Sequence, residues 1–310
     1  MPTIPLIDYL TDLQNLARHA DYFTDLGKQQ ASPINSMALS ETLKLFFNLS
    51  NFYPDQIPAL TKSLPHICRT FAAIKLPDPP LQPPVTHIIN SLLNLDHEDA
   101  RDTLFAESGP HCHVDRLCSI LDQSMRQYAE VQLEALASPL LTSIRHLYSI
   151  APTNVQDHMR SLMLPSNEDR KTPLGKSETF SSYILRLSLA GGAPQIRDSV
   201  QNLLFELSDK DASKFVQNVG YGFAAGYLFS HNITVPESAL EAGSSEDRPA
   251  SDHGTASISG SGLQPRKPNM IPVNPITGQR LDEETDEPVI EMTQEEKEQE
   301  AERLFVLFER

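Results

Sequence analysis

Tryptophan is missing from the sequence, cysteine occurs only three times in 310 residues, and no apolar run approaches the ~20 residues that a membrane span requires. Cys68, Cys112 and Cys118 are too few and too unevenly spaced for a disulfide framework, which points to a reducing compartment. The opening Met1-Pro2-Thr3-Ile4-Pro5 has no basic region, and Asp8 follows at once, so it does not read as a signal peptide. Basic residues are also scarce: 25 Lys and Arg face 41 Asp and Glu, a formal charge of −16. Nucleic-acid surfaces depend on clustered Lys and Arg, so a nucleic-acid partner is not expected. Much of the charge is local, because Leu281 to Arg310 holds twelve acidic and three basic residues.

Helical patterns fill the first ~235 residues, with Pro and Gly between them and few strand signals. In Met37–Ser50, Leu39, Leu43, Phe46 and Phe47 fall on one helical face behind Asn35-Ser36 as caps. Similar helices are expected at about 6–26, 56–75, 85–95, 113–136, 137–150, 178–190, 194–208 and 210–230. Phe46-Phe47-Asn48-Leu49-Ser50 is echoed by Leu92-Leu93-Asn94-Leu95-Asp96, then by Leu140-Leu141 and, later, by Leu204-Phe205-Glu206-Leu207-Ser208. A period of ~40–47 residues is that of HEAT or armadillo units, which bury their apolar faces by stacking on one another. The late final echo implies that the polar stretch Pro165–Glu178 is an inserted loop on one face. The fold class is therefore all-α, an armadillo/HEAT-like superhelix over residues 1–232.

Pro236–Met292 contains no Phe, Tyr or Trp and is rich in Ser, Pro, Gly and acid. Such a segment buries too little apolar surface to offset its chain entropy, so 233–292 reads as a disordered acidic linker. Thr293-Gln294-Glu295-Glu296 then forms a capping box, and Ala301, Leu304, Phe305 and Phe308 share one stripe, predicting an amphipathic helix over 293–310. It has two destinations, the repeats themselves or a partner.

Chemistry has little foothold. His111-Cys112-His113 with Cys118 is the one metal-like cluster, but it lacks the second short-spaced pair that zinc sites use and reads as an ordinary helix start. Gly220-Tyr221-Gly222-Phe223-Ala224-Ala225 matches a dinucleotide fingerprint formally. That motif works only where a strand turns into a helix, and here a helix precedes it. Close helix packing through Gly220, Ala224 and Gly226 is the favoured reading. No catalytic set, metal or cofactor is expected. Asn48 and Asn94 occupy equivalent repeat positions, from which they could hydrogen-bond a peptide backbone in a groove or merely bridge neighbouring helices. Ser244-Ser245-Glu246-Asp247 suits an acid-directed kinase, and phosphate there would add about 1.5–2 negative charges.

Val273-Asn274-Pro275-Ile276-Thr277-Gly278, Glu291-Met292-Thr293-Gln294-Glu295-Glu296-Lys297-Glu298 and Ala301-Glu302-Arg303-Leu304-Phe305 closely resemble the C-terminal signature of the synembryn family. Ser40–Leu49 and Val219–Gly226 resemble the same family, the "resistance to inhibitors of cholinesterase 8" proteins, here of a fungal type. The resemblance implies a cytoplasmic exchange factor and folding chaperone for heterotrimeric G-protein alpha subunits, monomeric and not inserted in a membrane, recruited to the cell cortex through its partner. It further implies that the groove, with Asn48 and Asn94, takes the C-terminal helix of the alpha subunit. Leu304, Phe305 and Phe308 would brace its nucleotide domain. Family members are longer, so a chain incomplete at both ends is expected. The rival reading is a generic armadillo-type peptide adaptor without effect on nucleotide.

Overall fold

The computed structural model describes residues 6–26, 31–95, 98, 100–107, 109–234 and 273–283. Fourteen α-helices occur among them: α1 (Leu6–Leu26), α2 (Pro33–Phe52), α3 (Ile57–Leu60), α4 (Leu64–Ala73), α5 (Val85–Leu93), α6 (Arg101–Leu104), α7 (Cys112–Gln127), α8 (Glu130–Leu136), α9 (Ser138–Ile150), α10 (Thr153–Met163), α11 (Phe180–Leu187), α12 (Pro194–Leu207), α13 (Ala212–Val219) and α14 (Tyr221–Ser230). Among the described residues the sole β feature is an isolated antiparallel bridge between Val273 and Arg280.

The helices form two rows. In one, α2 packs on α5, α5 on α9 and α9 on α12; in the other, α1 packs on α4, α4 on α7 and α7 on α11. Cross-contacts α1 to α2, α4 to α5, α7 to α9 and α11 to α12 join the rows into stacked pairs, the arrangement of a helical-repeat solenoid. A continuous core of Leu, Ile, Val and Phe lies between them, including Phe46, Phe71, Ile88, Leu141, Leu203 and Phe215. Neighbouring units are also stitched by polar bonds. Ser91 Oγ donates to the Leu43 carbonyl at 3.3 Å, and Asn94 Nδ2 donates to Ser50 Oγ at 3.2 Å.

Local chemistry explains where helices begin and stop. Ser32 caps α2 by accepting from the Asn35 N–H, with Pro33 in the first turn; Thr179 and Asp211 cap α11 and α13 in the same way. The helix expected over 56–75 is broken into 3-10 and α turns before Leu64, since Pro54, Pro58 and Pro65 each lack an amide donor. The long helix expected over 113–136 ends at Gln127 and restarts at Glu130, because Tyr128 and Ala129 are extended. α10 escaped sequence reading: its buried residues are Val155, Met159 and Met163, a stripe one residue wide. The repeat echo holds for helices, not for every register. Leu140-Leu141 lie in the first turn of α9, whereas Leu92-Leu93 close α5.

Two further expectations change. The helix predicted over 210–230 is divided at Gly220, whose φ of +78° is open to glycine and strained for other residues. Pro165–Glu178 is a loop with an exposed side, at Asn167, Glu168, Lys171 and Lys176, but it is also rooted inward, since Asp169, Arg170 and Leu174 within it are buried.

Leu141 is fully buried in α9, which touches both rows. Leu141→Ala is expected to lower unfolding free energy by about 2–5 kcal/mol in urea denaturation. Leu189→Ala, at a site 54% exposed, should cost no more than about 0.5 kcal/mol.

Candidate partner-binding surface and its anchor

Asn48 lies exposed on α2, on the side turned away from Leu39, Leu43 and Phe46. Asn94 follows α5 as its C-cap and spends its amide on Ser50, so it bridges adjacent units. The structure brings the two helices side by side while giving the two Asn different surroundings. Beside them, burial and the nearby Lys44 ammonium lower the His87 pKa. Leu304, Phe305, Phe308, Ser244 and Ser245 lie outside the described residues.

Sequence reading credited α2 with one apolar face, but it has a second. Ile34, Met37, Leu45 and Phe52 are 73%, 62%, 52% and 72% exposed, and helical spacing puts them on the side opposite the core. Farther along the same row the surface is polar. Arg145 holds Glu206 through two hydrogen bonds of 3.0 and 2.6 Å, joining α9 to α12. The Tyr227 hydroxyl donates to Asn202 Oδ1 at 3.0 Å, and its ring stacks on His231 at 4.1 Å.

The histidine–cysteine cluster does not converge. Cys118 is buried and its thiol is pushed up to about 12, chiefly by desolvation, whereas Cys112 is exposed. The His111 ring sits 4.1 Å from that of His158, which pairs with Asp115 at 2.6 Å. Among the described residues no group of three His, Cys, Asp or Glu is arranged to hold a metal ion.

The most elaborate construction lies at the α13–α14 break, and sequence reading missed it. Residues 273–283, inside the stretch read as a disordered linker, form a turn docked on the array. The turn is self-supporting: Asn274 Oδ1 accepts from the Ile276 and Thr277 amides at 2.9 and 3.2 Å, and the Gly278 N–H returns to the Asn274 carbonyl at 2.8 Å. Its carbonyls at Pro275 and Ile276 accept from the Tyr221 and Gly222 amides at 2.7 and 3.1 Å. Those are orphan donors of the first turn of α14, so a segment some fifty residues downstream caps this helix. The same bonds occupy the amides that a dinucleotide fingerprint would offer to phosphate.

Arg170 seals the other side. Its guanidinium donates to the Gly278 carbonyl at 3.0 Å and to Gln217 and Asn218 carbonyls, at 3.1 and 2.7 Å, in the last turn of α13. A cation there suits the negative end of the helix dipole. Burial lowers its pKa and the neighbouring Asp169 opposes the change, but a guanidinium stays charged at any ordinary pH. Backbone pairing completes the seat: Leu174 N–H to Thr277 O at 3.1 Å, Arg280 N–H to Arg170 O at 2.7 Å. The Gln279 amide reaches the Lys171 and Glu283 carbonyls at 3.1 Å each. Asp169 holds the loop in shape by accepting from the Ser166 amide and hydroxyl and from Ser177, Thr179 and Ser181 at 2.6–3.2 Å.

Glycines make the close approach possible. A Cβ at Gly220 would lie 3.1 Å from the Ile276 carbonyl oxygen and one at Gly222 3.2 Å from it, so these positions receive the turn's backbone. The packing expected of Gly220, Ala224 and Gly226 against another helix is thus corrected: Ala224 is buried, and Gly226 faces open space. Gly278 has φ +69°, and its Cβ would fall 2.3 Å from Leu174 Cδ1.

The stacked helices, with an exposed apolar helix face at one end and a downstream turn docked at the other, define a helical-repeat solenoid. The profile of the family described as guanine nucleotide exchange factor synembryn matches residues 5–310, and the chain belongs to that family. It is 27% identical to a synembryn-like chaperone of Schizosaccharomyces pombe, across 89% of this chain and 52% of that protein. It is 30% identical to chaperone Ric-8A of Xenopus tropicalis across 49% of this chain and 26% of the relative, and 25% identical to chaperone Ric-8 of Drosophila pseudoobscura across 96% and 57%. The chain thus spans about half the length of the relatives it matches most completely. No described helix is long and apolar enough to cross a membrane.

Two outcomes test the anchor. Gly278→Ala adds both a steric clash and a strained φ, and should release the turn, read as faster hydrogen exchange at Tyr221 and Gly222 and a loss of about 1–3 kcal/mol. Burial raises the Asp169 pKa, but hydrogen bonds from Thr179, the Ser166 hydroxyl and amide, and Ser177 outweigh it and hold the carboxyl below its ordinary value. A depressed carboxylate stabilises the fold above its unfolded pKa of about 3.9 and loses that contribution as pH falls through the folded value. Asp169→Asn should therefore cost about 1–3 kcal/mol at pH 7, with the gap to wild type closing below about pH 4.

Proposed function

We propose that the chain binds nucleotide-free heterotrimeric G-protein alpha subunits, promotes GDP release from them and assists their folding. Membership of the exchange-factor family across residues 5–310 carries the reading. Its naming as a chaperone family, in the relatives of yeast, frog and fly, supports the second half. The docked turn adds a physical reason, because it gives the terminal segment a fixed origin on the array. A scaffold and a tethered second element can then hold one partner at two points.

Exchange in this reading needs no covalent step. The scaffold prefers the open, empty alpha subunit to the GDP-bound form and so shifts the population toward release. Taking that balance from 1:99 to 99:1 requires a preference of about 10⁴-fold. Asn48 and the apolar face of α2 would meet the partner in the groove, with Asn94 ordering the helices behind them. Leu304, Phe305 and Phe308 would brace the nucleotide domain, and phosphorylation of Ser244 or Ser245 would add charge to the intervening chain. The protein would act in the cytoplasm as a monomer, reaching the cell cortex with its partner.

The deciding experiment mixes the purified chain with GDP-loaded alpha subunit and follows GDP release, alongside pull-down of the nucleotide-free subunit. Faster release and capture of the empty form are expected. If no complex forms, and a chain extended to the full length of its relatives also fails, the reading is wrong, and capture without any change in release leaves a peptide adaptor. Leu304→Asp with Phe305→Asp removes two apolar contacts of about 1.5–3 kcal/mol each, so exchange should fall at least about tenfold.

A further inference from the structure

We infer that, while no alpha subunit is bound, the outer face of α14 is the docking site of the chain's own terminal segment, residues 293–310, which leaves that face when it braces a partner. α14 is apolar around almost its whole circumference, with Ser230 and the tyrosine hydroxyls as its polar side-chain groups. One side is spent on the core through Ala224, Tyr227 and Leu228. The other carries Tyr221, Gly222, Ala225, Gly226 and Phe229, which helical spacing aligns. Phe229 is 88% exposed, and Ile276, 63% exposed, borders the start of the face through its carbonyl bond to Gly222. A Cβ at Gly226 would meet nothing within 4 Å, so the middle of the face is low and open. Two aromatic rings flank it, rooted about 12 Å apart along the axis.

Solenoid ends ordinarily turn a polar surface to water, and the last described helix here turns an apolar one. The chain itself supplies the cover. The docked turn pins Arg280 to Arg170, and its last described residue, Glu283, follows three positions later, held beside Lys171 through the Gln279 amide. Nine residues separate Glu283 from Thr293, a tether that reaches at most about 35 Å. The first turn of α14 is bonded to the same docked turn through Tyr221 and Gly222, so its face is within reach of that tether, while the apolar face of α2 belongs to the opposite end of its row. Wound as a helix, the terminal segment would align Ala301, Leu304, Phe305 and Phe308 in a stripe two turns long, matching the length between Tyr221 and Phe229. Its aromatic side chains fit the low Gly and Ala floor, and its glutamates stay in water. A short tether holds the two surfaces at an effective concentration of order millimolar, enough to populate even weak docking.

Hydrogen exchange of the full chain, with no partner present, tests this independently of the exchange reading. Amides of 221–230 and of 293–310 should be at least about tenfold better protected in the wild type than in Phe229→Asp, or in the pair Leu304→Asp and Phe308→Asp. Gly226→Leu fills the floor of the face without disturbing the core and should release the terminal segment in the same way, with exchange in α9 unchanged throughout. Equal exchange of α14 in all forms overturns the inference. Terminal-segment protection that survives Phe229→Asp and Gly226→Leu places the segment elsewhere and also overturns it. So does protection that rises with protein concentration, which would mean that a second copy covers the face.

Discussion

Arg170 stands where three pieces of chain meet, and its burial is tolerable because the two that face its own loop bring it three carbonyl oxygens. Gln217 and Asn218 come from the end of α13, and Gly278 comes from a turn sixty residues farther along. The adjoining Asp169 supplies compensating charge while accepting from five hydroxyl and amide groups of its own loop and of the start of α11. Removing the guanidinium would leave the buried Gly278 carbonyl without this donor, at a cost of about 1–3 kcal/mol. The break at Gly220 and the cap on α14 meet at this one convergence.

The break is what makes the seam useful. A continuous helix through Gly220 would satisfy its own amides and leave the turn with nothing to bond. Because α13 stops there, two carbonyls and two amides become available within one turn of each other, and the turn and Arg170 take up both sets. Glycine at 220 permits the positive φ and, with Gly222, the close passage of the turn's backbone. The Gly-rich sequence that resembles a nucleotide fingerprint is thus occupied by protein.

Repeat architecture was legible because stacked helices must each carry a core stripe, and the Leu and Phe spacing of α2, α5, α9 and α12 records it. Proline breaks and the narrow stripe of α10 were less readable, since few residues mark them. The anchor was hidden for a different reason. Composition correctly says that 273–283 has little to bury, but this turn is held by hydrogen bonds and by close approaches at Gly220, Gly222 and Gly278, which composition does not register. Its motif stood out by family resemblance, while its physical role depended on Arg170, distant in sequence. Likewise Asn48 and Asn94 look equivalent along the chain, and only packing separates the exposed one from the one bonded to Ser50. The terminal stripe and the serine pair lie outside the described residues, so their reading still rests on sequence.

Where a tether is rooted decides what its far end can reach. With 273–283 free, the path from Ile233 to Thr293 would be a coil of about sixty residues, spreading its end over a root-mean-square distance of about 40–45 Å. Pinning the turn shortens the effective tether to the nine residues after Glu283. Effective concentration falls roughly as the −3/2 power of tether length, so this shortening raises it by about an order of magnitude near the seam. The contribution comes entirely from geometry and adds no contact to whatever the terminal segment meets. A scaffold that must hold a mobile partner at two points gains most from such a fixed origin, because the second contact is then made at a defined place.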